Sequence, residues 1–153
     1  MWLRTTTITL LKRLKMARNV VADTSAILAL IAPTDRFHLQ ANEVYRDLLH
    51  QGDHILINSY VLVESASLIH RRLGLTQLQS FFRSIHRGWE TLWIDRITHD
   101  EIWSRMENHG GSRLSLVDWS VIVTAESTRS AIFTFDSDFA LEGLTVLPGE
   151  ISA

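Results

Sequence analysis

The stretch Asn19-Val20-Val21-Ala22-Asp23-Thr24-Ser25 is a short apolar run that ends on a carboxylate. Its length and β-branched content are typical of a buried strand, so we predict a strand over residues 19–23. A carboxylate in such a position is costly to remove from water unless it has a partner. Asp23 therefore marks the end of the first strand and a candidate functional position.

Three more acids have the same kind of setting. Glu64, Asp118 and Asp136 each lie inside or at the end of an apolar run, and no lysine follows Lys15 to pair with them. Hard divalent cations such as Mg²⁺ and Mn²⁺ prefer oxygen ligands, which carboxylates supply. The acids together therefore predict a metal site and, with it, a metal-dependent nuclease.

The rest of the chain alternates strand-length apolar runs with stretches of helical period. This pattern is typical of a parallel sheet that is covered by helices on both faces. We expect the later strands at residues 54–58, 90–94, 131–135 and 144–147. We expect helices at residues 26–31, 36–50, 60–73 and 116–127, and two more that begin with the capping spacings Thr76–Gln79 and Thr98–Glu101.

This topology brings three of the acids to one edge of the sheet. Ligands of open parallel sheets bind beyond the carboxyl ends of the strands, where Asp23 and Asp136 lie. Glu64 falls in the second turn of the helix that follows the second strand, and that helix begins at the same edge of the sheet. Asp118 joins the group only if the loop before its helix returns there.

Each acid also has a purely structural explanation. Asp23 has the position of a helix cap, and Ser115 and Asp118 have the spacing of a capping box. Glu64 has Arg71 and Arg72 within reach for an ion pair, and residues 136–138 have the composition of an ordinary turn. We favour the metal site because all four acids occur in one chain, in this order and with this topology, and each structural explanation accounts for only one of them.

Composition limits the classes of function. The chain has 153 residues, 46% of them hydrophobic, which suits one domain, and we assign residues 19–153 to it. Residues 1–18 form a basic extension, with Met16 as an alternative start. The absence of cysteine excludes thiolate chemistry and permits a reducing compartment such as the cytoplasm. We expect no membrane span and, without GxxxxGK[ST] or GxGxxG, no nucleoside triphosphate or dinucleotide site.

The acid-bearing stretches resemble those of PIN-domain ribonucleases, in particular the VapC-type toxins of bacterial toxin–antitoxin pairs. The resemblance covers residues 19–148 and is carried by residues 21–25, 60–66, 114–118 and 133–139. It implies an α/β fold, a three-layer α/β/α sandwich with a central, mainly parallel sheet. It also implies that RNA phosphodiester bonds are hydrolysed with Mg²⁺ or Mn²⁺. The metal and catalytic acids that it implies are Asp23, Glu64, Asp118 and Asp136.

The resemblance implies further roles and partners. Thr24 and Thr134 are secondary polar contacts, and Asp138 is an outer acid with the capacity to hold a second metal ion. The expected partners are an RNA substrate, a second copy in a homodimer, and a small antitoxin that blocks the groove. Trp119 is bulkier than the small residue expected after Asp118, so it either narrows the groove or packs at a dimer seam.

Two further functions compete with the nuclease. A catalytically silent PIN-like module that binds RNA or a protein is the main competitor, although such a module has no reason to keep four costly carboxylates. A phosphoacceptor receiver also gathers acids at strand ends. Receivers use a lysine at the site, and none follows Lys15.

Overall fold

A central sheet of five parallel strands organises the molecule. The computed structural model describes residues 16–149, so most of the basic extension lies outside the described residues. The strands are β1 (Asn19–Ala22), β2 (His54–Asn58), β3 (Trp89–Leu92), β4 (Ala131–Phe133) and β5 (Val146–Leu147). They lie side by side in the order β3-β2-β1-β4-β5, and every neighbouring pair is parallel.

Helices cover this sheet and complete the predicted three-layer α/β/α sandwich. They are α1 (Thr24–Ile31), α2 (His38–Gln51), α3 (Ser59–Leu73), α4 (Leu75–Gly88), α5 (Arg96–Asn108) and α6 (Leu116–Thr128). A short 3₁₀-helix, Ser137–Glu142, connects β4 to β5. None of the helices within residues 16–149 is long and apolar enough to cross a membrane.

Much of the core lies between the central strands and the helices that cover them, and α6 is the most deeply buried of these helices. Val20 and Val21 of β1 and Ile132 of β4 are fully buried, as the apolar runs predict for strands covered on both faces. Helix α6 is buried at every position from Trp119 to Ala125, and it packs against β1, β2 and β4. Asp118 is therefore fixed at the start of a helix that is built into the core.

Two predicted helix starts are wrong. Helix α4 begins at Leu75, after Gly74, and the expected cap from Thr76 and Gln79 is not formed. Gly74 has φ of 87°, which few other residues adopt, so the chain turns there without a side-chain cap.

The second wrong start is that of α5. This helix begins at Arg96, and the Asp95 carboxylate caps it by accepting a hydrogen bond from the Thr98 N–H at 2.8 Å. Thr98 and Glu101 have the right spacing for a capping box, but the aspartate three residues before Thr98 caps the helix first.

The end of β2, which is predicted correctly, carries a buried polar junction. The Asn58 side-chain oxygen caps α3 by accepting hydrogen bonds from the Tyr60 and Val61 N–H groups, both at 3.0 Å. Its side-chain nitrogen donates to the hydroxyls of Ser120 at 3.0 Å and Thr124 at 3.1 Å, both in α6. One side chain thus holds α3 and α6 to the end of β2.

We predict that Asn58→Ala lowers the free energy of unfolding by about 2 kcal/mol, because it removes a helix cap and leaves buried groups without partners. Urea unfolding followed by circular dichroism measures the loss. Asn108→Ala, which removes an exposed amide at the end of α5, is the control and is expected to change stability by less than about 0.5 kcal/mol. Equal effects of the two substitutions would contradict the role of Asn58.

Candidate active site

The carboxyl edge of the sheet brings the predicted acids near one another. Asp23 directly follows β1, and Asp136 follows β4. Glu64 lies in the second turn of α3, which begins where β2 ends. Asp118 lies in the first turn of α6, and the charges of Asp136 and Glu64 act on it. The loop before α6 therefore does return to this edge.

Asp23 is the most deeply buried of these acids, with only 3% of its surface exposed. One carboxylate oxygen, Oδ2, accepts hydrogen bonds from the Ser25 hydroxyl at 2.7 Å, the Thr134 hydroxyl at 3.0 Å and the Ser25 N–H at 3.2 Å. Within residues 16–149, no arginine or histidine forms an ion pair with it. The carboxylate is solvated by hydroxyls but has no counter-charge.

This environment changes the acidity of Asp23. Burial away from water raises the pKa of its carboxyl to about 6, and the neighbouring Asp118 carboxylate also raises it. The hydrogen bonds from Ser25 and Thr134 act in the opposite direction but do not offset burial. Near neutral pH the site holds a negative charge that it stabilises poorly.

The hydroxyls around Asp23 are themselves held in place by the backbone. The Phe135 N–H donates to the Ser25 hydroxyl at 2.9 Å, and the Asp136 N–H donates to the Thr134 hydroxyl at 3.0 Å. We expected Thr134 to contact the site but did not single out Ser25. Its signal in the sequence was its place two residues after Asp23, the position whose N–H a capping aspartate bonds.

Glu64 is half-buried and contacts the same region through α1. The Thr24 hydroxyl donates a hydrogen bond to Glu64 Oε2 at 2.7 Å. The competing ion pair of Glu64 with Arg71 or Arg72 is wrong, since both arginines are exposed and neither bonds to it. Thr24 and Glu64 therefore join α1 to α3 beside Asp23.

Asp118 forms the capping box that its spacing predicts. Its N–H donates to the Ser115 hydroxyl at 3.2 Å, and the Ser115 N–H donates back to Asp118 Oδ2 at 2.6 Å. Burial raises the pKa of Asp118, and the charges of Asp136 and Glu64 raise it further against these bonds. Asp118 is thus part of the capping box of α6, and it is also the carboxylate on which the charges of two other predicted acids act.

Trp119, the residue after Asp118, does not lie on the groove surface. It is only 4% exposed, and its ring packs edge-on against His109 with the centroids 4.9 Å apart. Both expectations for this side chain, that it narrows the groove or packs at a dimer seam, are wrong, because the indole is buried within the single chain against His109.

Asp136 and Asp138 form a local turn, as the composition of residues 136–138 predicts. The Asp136 carboxylate accepts a hydrogen bond from the Asp138 N–H at 2.9 Å and so caps the 3₁₀-helix. Asp138 is half-buried and borders a cleft of about 580 Å³ beside the acids. Asp136 is thus the cap of this short helix and Asp138 lies in its first turn. The charge of Asp136 raises the pKa of Asp118.

The donor set fits a hard divalent cation better than any other metal. It consists of carboxylate oxygens, one of them buried without a counter-charge, and Mg²⁺ and Mn²⁺ prefer such ligands. Among residues 16–149, no three acidic or histidine side chains stand close enough to hold one ion. The acids are neighbours that influence one another's charge, but they do not form a closed cage.

Comparison with known proteins agrees with this architecture. The family model described as PIN domain matches residues 20–141. The fold is similar to that of VapC20 from Mycobacterium tuberculosis, a toxin that cleaves the sarcin-ricin loop. The TM-score is 0.74 at 19% identity, over 82% of this chain and 96% of that one. No curated protein matches the chain significantly.

Two further solved structures are similar. VapBC2 from Rickettsia felis, bound to a DNA fragment from its promoter, gives a TM-score of 0.62 at 17% identity, over 84% of this chain and 96% of that one. FitAcB from Neisseria gonorrhoeae gives 0.61 at 14% identity, over 85% and 97%. At these identities the likeness shows the fold.

The acidity of Asp23 predicts a pH-dependent stability. Because its folded pKa of about 6 lies above the ordinary 3.8, the folded protein holds this proton to higher pH than the unfolded chain does. Its contribution therefore stabilises below about pH 4 and is lost as the pH rises through 6. Between those limits the wild type should lose about 3 kcal/mol relative to Asp23→Asn.

Urea unfolding in EDTA at several pH values between 4 and 7 measures this difference. Asp47→Asn, which changes an exposed carboxylate of α2, is the matched control and should keep the wild-type dependence on pH. A difference between Asp23→Asn and the wild type that stays constant with pH would show that Asp23 is not held in a destabilised charged form.

Proposed function

The chain belongs to the PIN-domain family, and we propose that it is a metal-dependent endoribonuclease that hydrolyses RNA phosphodiester bonds. One observation carries the proposal. Four acids from different elements lie at the carboxyl edge of one sheet, and Asp23 among them is buried without a counter-charge. Such an arrangement is unfavourable unless it serves to bind a cation.

We propose that Asp23, Glu64, Asp118 and Asp136 hold Mg²⁺ or Mn²⁺, with Asp138 as an outer acid able to take part in binding a second ion. Because no three acids within residues 16–149 stand close enough to hold one ion in this arrangement, the proposal includes a movement of their side chains toward the ion. A bound ion supplies charge neutralisation at the scissile phosphate and lowers the pKa of a coordinated water. The chain's own hydroxyls orient these ligands.

Thr134 contributes to the proposed metal site by holding the Asp23 carboxylate in one orientation, and Thr24 does the same for the Glu64 carboxylate. Ser25 acts with Thr134 on the same oxygen of Asp23. Groups that hold a metal ligand in one orientation contribute strongly to affinity and activity in metal sites generally.

We further propose that the protein is the toxin of a type II toxin–antitoxin pair and acts in the cytoplasm, as a homodimer that a small antitoxin inhibits. The likeness to the VapC20, VapBC2 and FitAcB folds supports this assignment. Protein partners are also supported by large apolar side chains that are exposed in the single chain, with Val63 at 64%, Trp93 at 74% and Ile97 at 79%.

Cleavage of a structured RNA pool by the purified protein tests the nuclease proposal. We expect cutting with Mg²⁺ or Mn²⁺ and none in EDTA. Asp23→Asn should lower the rate by about 100-fold or more, since it removes a principal electrostatic contributor. Asp47→Asn, the matched change at an exposed carboxylate of α2, should cut like the wild type.

A wild-type protein without metal-dependent activity would contradict the nuclease proposal. If the wild type does not cut RNA with either metal ion and binds no metal ion in titration calorimetry, the nuclease proposal is wrong. The catalytically silent module that binds RNA or protein then becomes the better explanation. Cutting that persists in Asp23→Asn would indicate a contaminating nuclease.

Thr24 provides a test of ligand positioning. Thr24→Val keeps the shape of the side chain but removes the hydroxyl that donates to Glu64, so metal-dependent cleavage should fall by about 10- to 100-fold. Thr24→Ser, which keeps the hydroxyl, should retain most of the activity. Equal rates for the two variants would show that the hydrogen bond to Glu64 does not contribute.

A further inference from the structure

We propose that the cleft beside the 3₁₀-helix is the subsite for one RNA nucleotide next to the scissile bond, and that Arg113 binds its phosphate. The proposal rests on the ribonuclease function above. The cleft has a volume of about 580 Å³, and its lining includes the loop from His109 to Leu114 together with Asp138 and Glu142 of the 3₁₀-helix. Sites for small organic groups typically measure about 300–1,000 Å³.

The two walls of the cleft are connected to the acidic edge by hydrogen bonds and by the chain. Asp138 on one wall is bonded through its N–H to the Asp136 carboxylate. The loop on the other wall runs directly into Ser115, which is hydrogen-bonded to Asp118 in both directions. Both walls of the cleft are therefore tied to acids of the proposed site.

Charge explains why a cation is needed here. The acids repel the phosphates of RNA, so neighbouring positive groups must hold the strand near them. Arg113 is exposed, and no acid within residues 16–149 forms an ion pair with it. In the same cleft His109 Nε2 faces the Glu142 carboxylate at 3.5 Å, so these two side chains are already in contact with each other. Arg113 is therefore the cation available to a phosphate.

The shape of the loop suits a nucleotide. Gly110 and Gly111 form part of the lining without side chains, so a base or ribose can approach the backbone. Gly111 has φ of 92°, a conformation that other residues rarely adopt, and no atom lies within 4 Å of the place where a Cβ would stand. The planar guanidinium of Arg113 matches the oxygens of a phosphodiester.

The test is the binding of a fluorescein-labelled, eight-nucleotide single-stranded RNA of mixed sequence, measured by anisotropy in EDTA at several salt concentrations. We expect Arg113→Ala to bind about tenfold more weakly and the slope of log affinity against log salt to fall by about 0.7. Arg113→Lys should keep the slope because it keeps the charge. Arg87→Ala, at an exposed arginine near the end of α4, is the control and should bind like the wild type.

The results separate the subsite from the catalytic proposal. Wild-type affinity and salt slope in Arg113→Ala would overturn the subsite, as would failure of the wild type to bind the RNA. If the wild type binds RNA through Arg113 but never cleaves it, the nuclease proposal falls, and with it the placement of this subsite next to a scissile bond, while Arg113 remains an RNA-binding residue. If AMP competes with the RNA as strongly as an unlabelled RNA of the same length does, the site takes a free nucleotide, and the strand-binding proposal is overturned.

Discussion

The need to solvate one buried carboxylate organises this edge of the molecule. Asp23 receives hydrogen bonds from Ser25 and Thr134, which belong to segments more than a hundred residues apart in the sequence. Backbone N–H groups after β4 in turn fix both hydroxyls. The β1–α1 junction and the segment after β4 are thereby locked together. Without these contacts the charge of Asp23 would lack any compensation inside the protein.

Structural and functional roles coincide in the same residues. Asp23 and Asp136 each cap a helix, and Asp118 completes the capping box of Ser115, as local turn chemistry predicts. In a parallel sheet the chain that follows a strand starts at the carboxyl edge, so a cap placed directly after β1 or β4 puts its carboxylate there. Asp118 reaches the same edge through the loop before α6, and these capping roles do not argue against a site there.

The features of the fold that could be predicted from the sequence are those set by hydrophobic periodicity and by local turn chemistry. The boundaries of β2 and the edge positions of Asp23 and Asp136 follow from such signals. Contacts between distant segments carried no signal, so the role of Asn58 between α3 and α6 was missed. The capping residue of α5 was also misplaced, because Asp95 and Thr98 both fit a helix start and the hydrogen bond from the Thr98 N–H to Asp95 places the start at the earlier residue.

The raised pKa of Asp23 also implies that protons compete with the proposed metal ion for this carboxylate. A carboxyl that titrates at about pH 6 is partly protonated under mildly acidic conditions, and a proton and a metal ion compete for the same oxygens. At the metal site that we propose, the ion would have the advantage near neutral pH, because it would relieve the repulsion between Asp23 and Asp118 as well as the loss of water. The burial that destabilises the charged form of Asp23 would thus be the same physical effect that favours a divalent cation there.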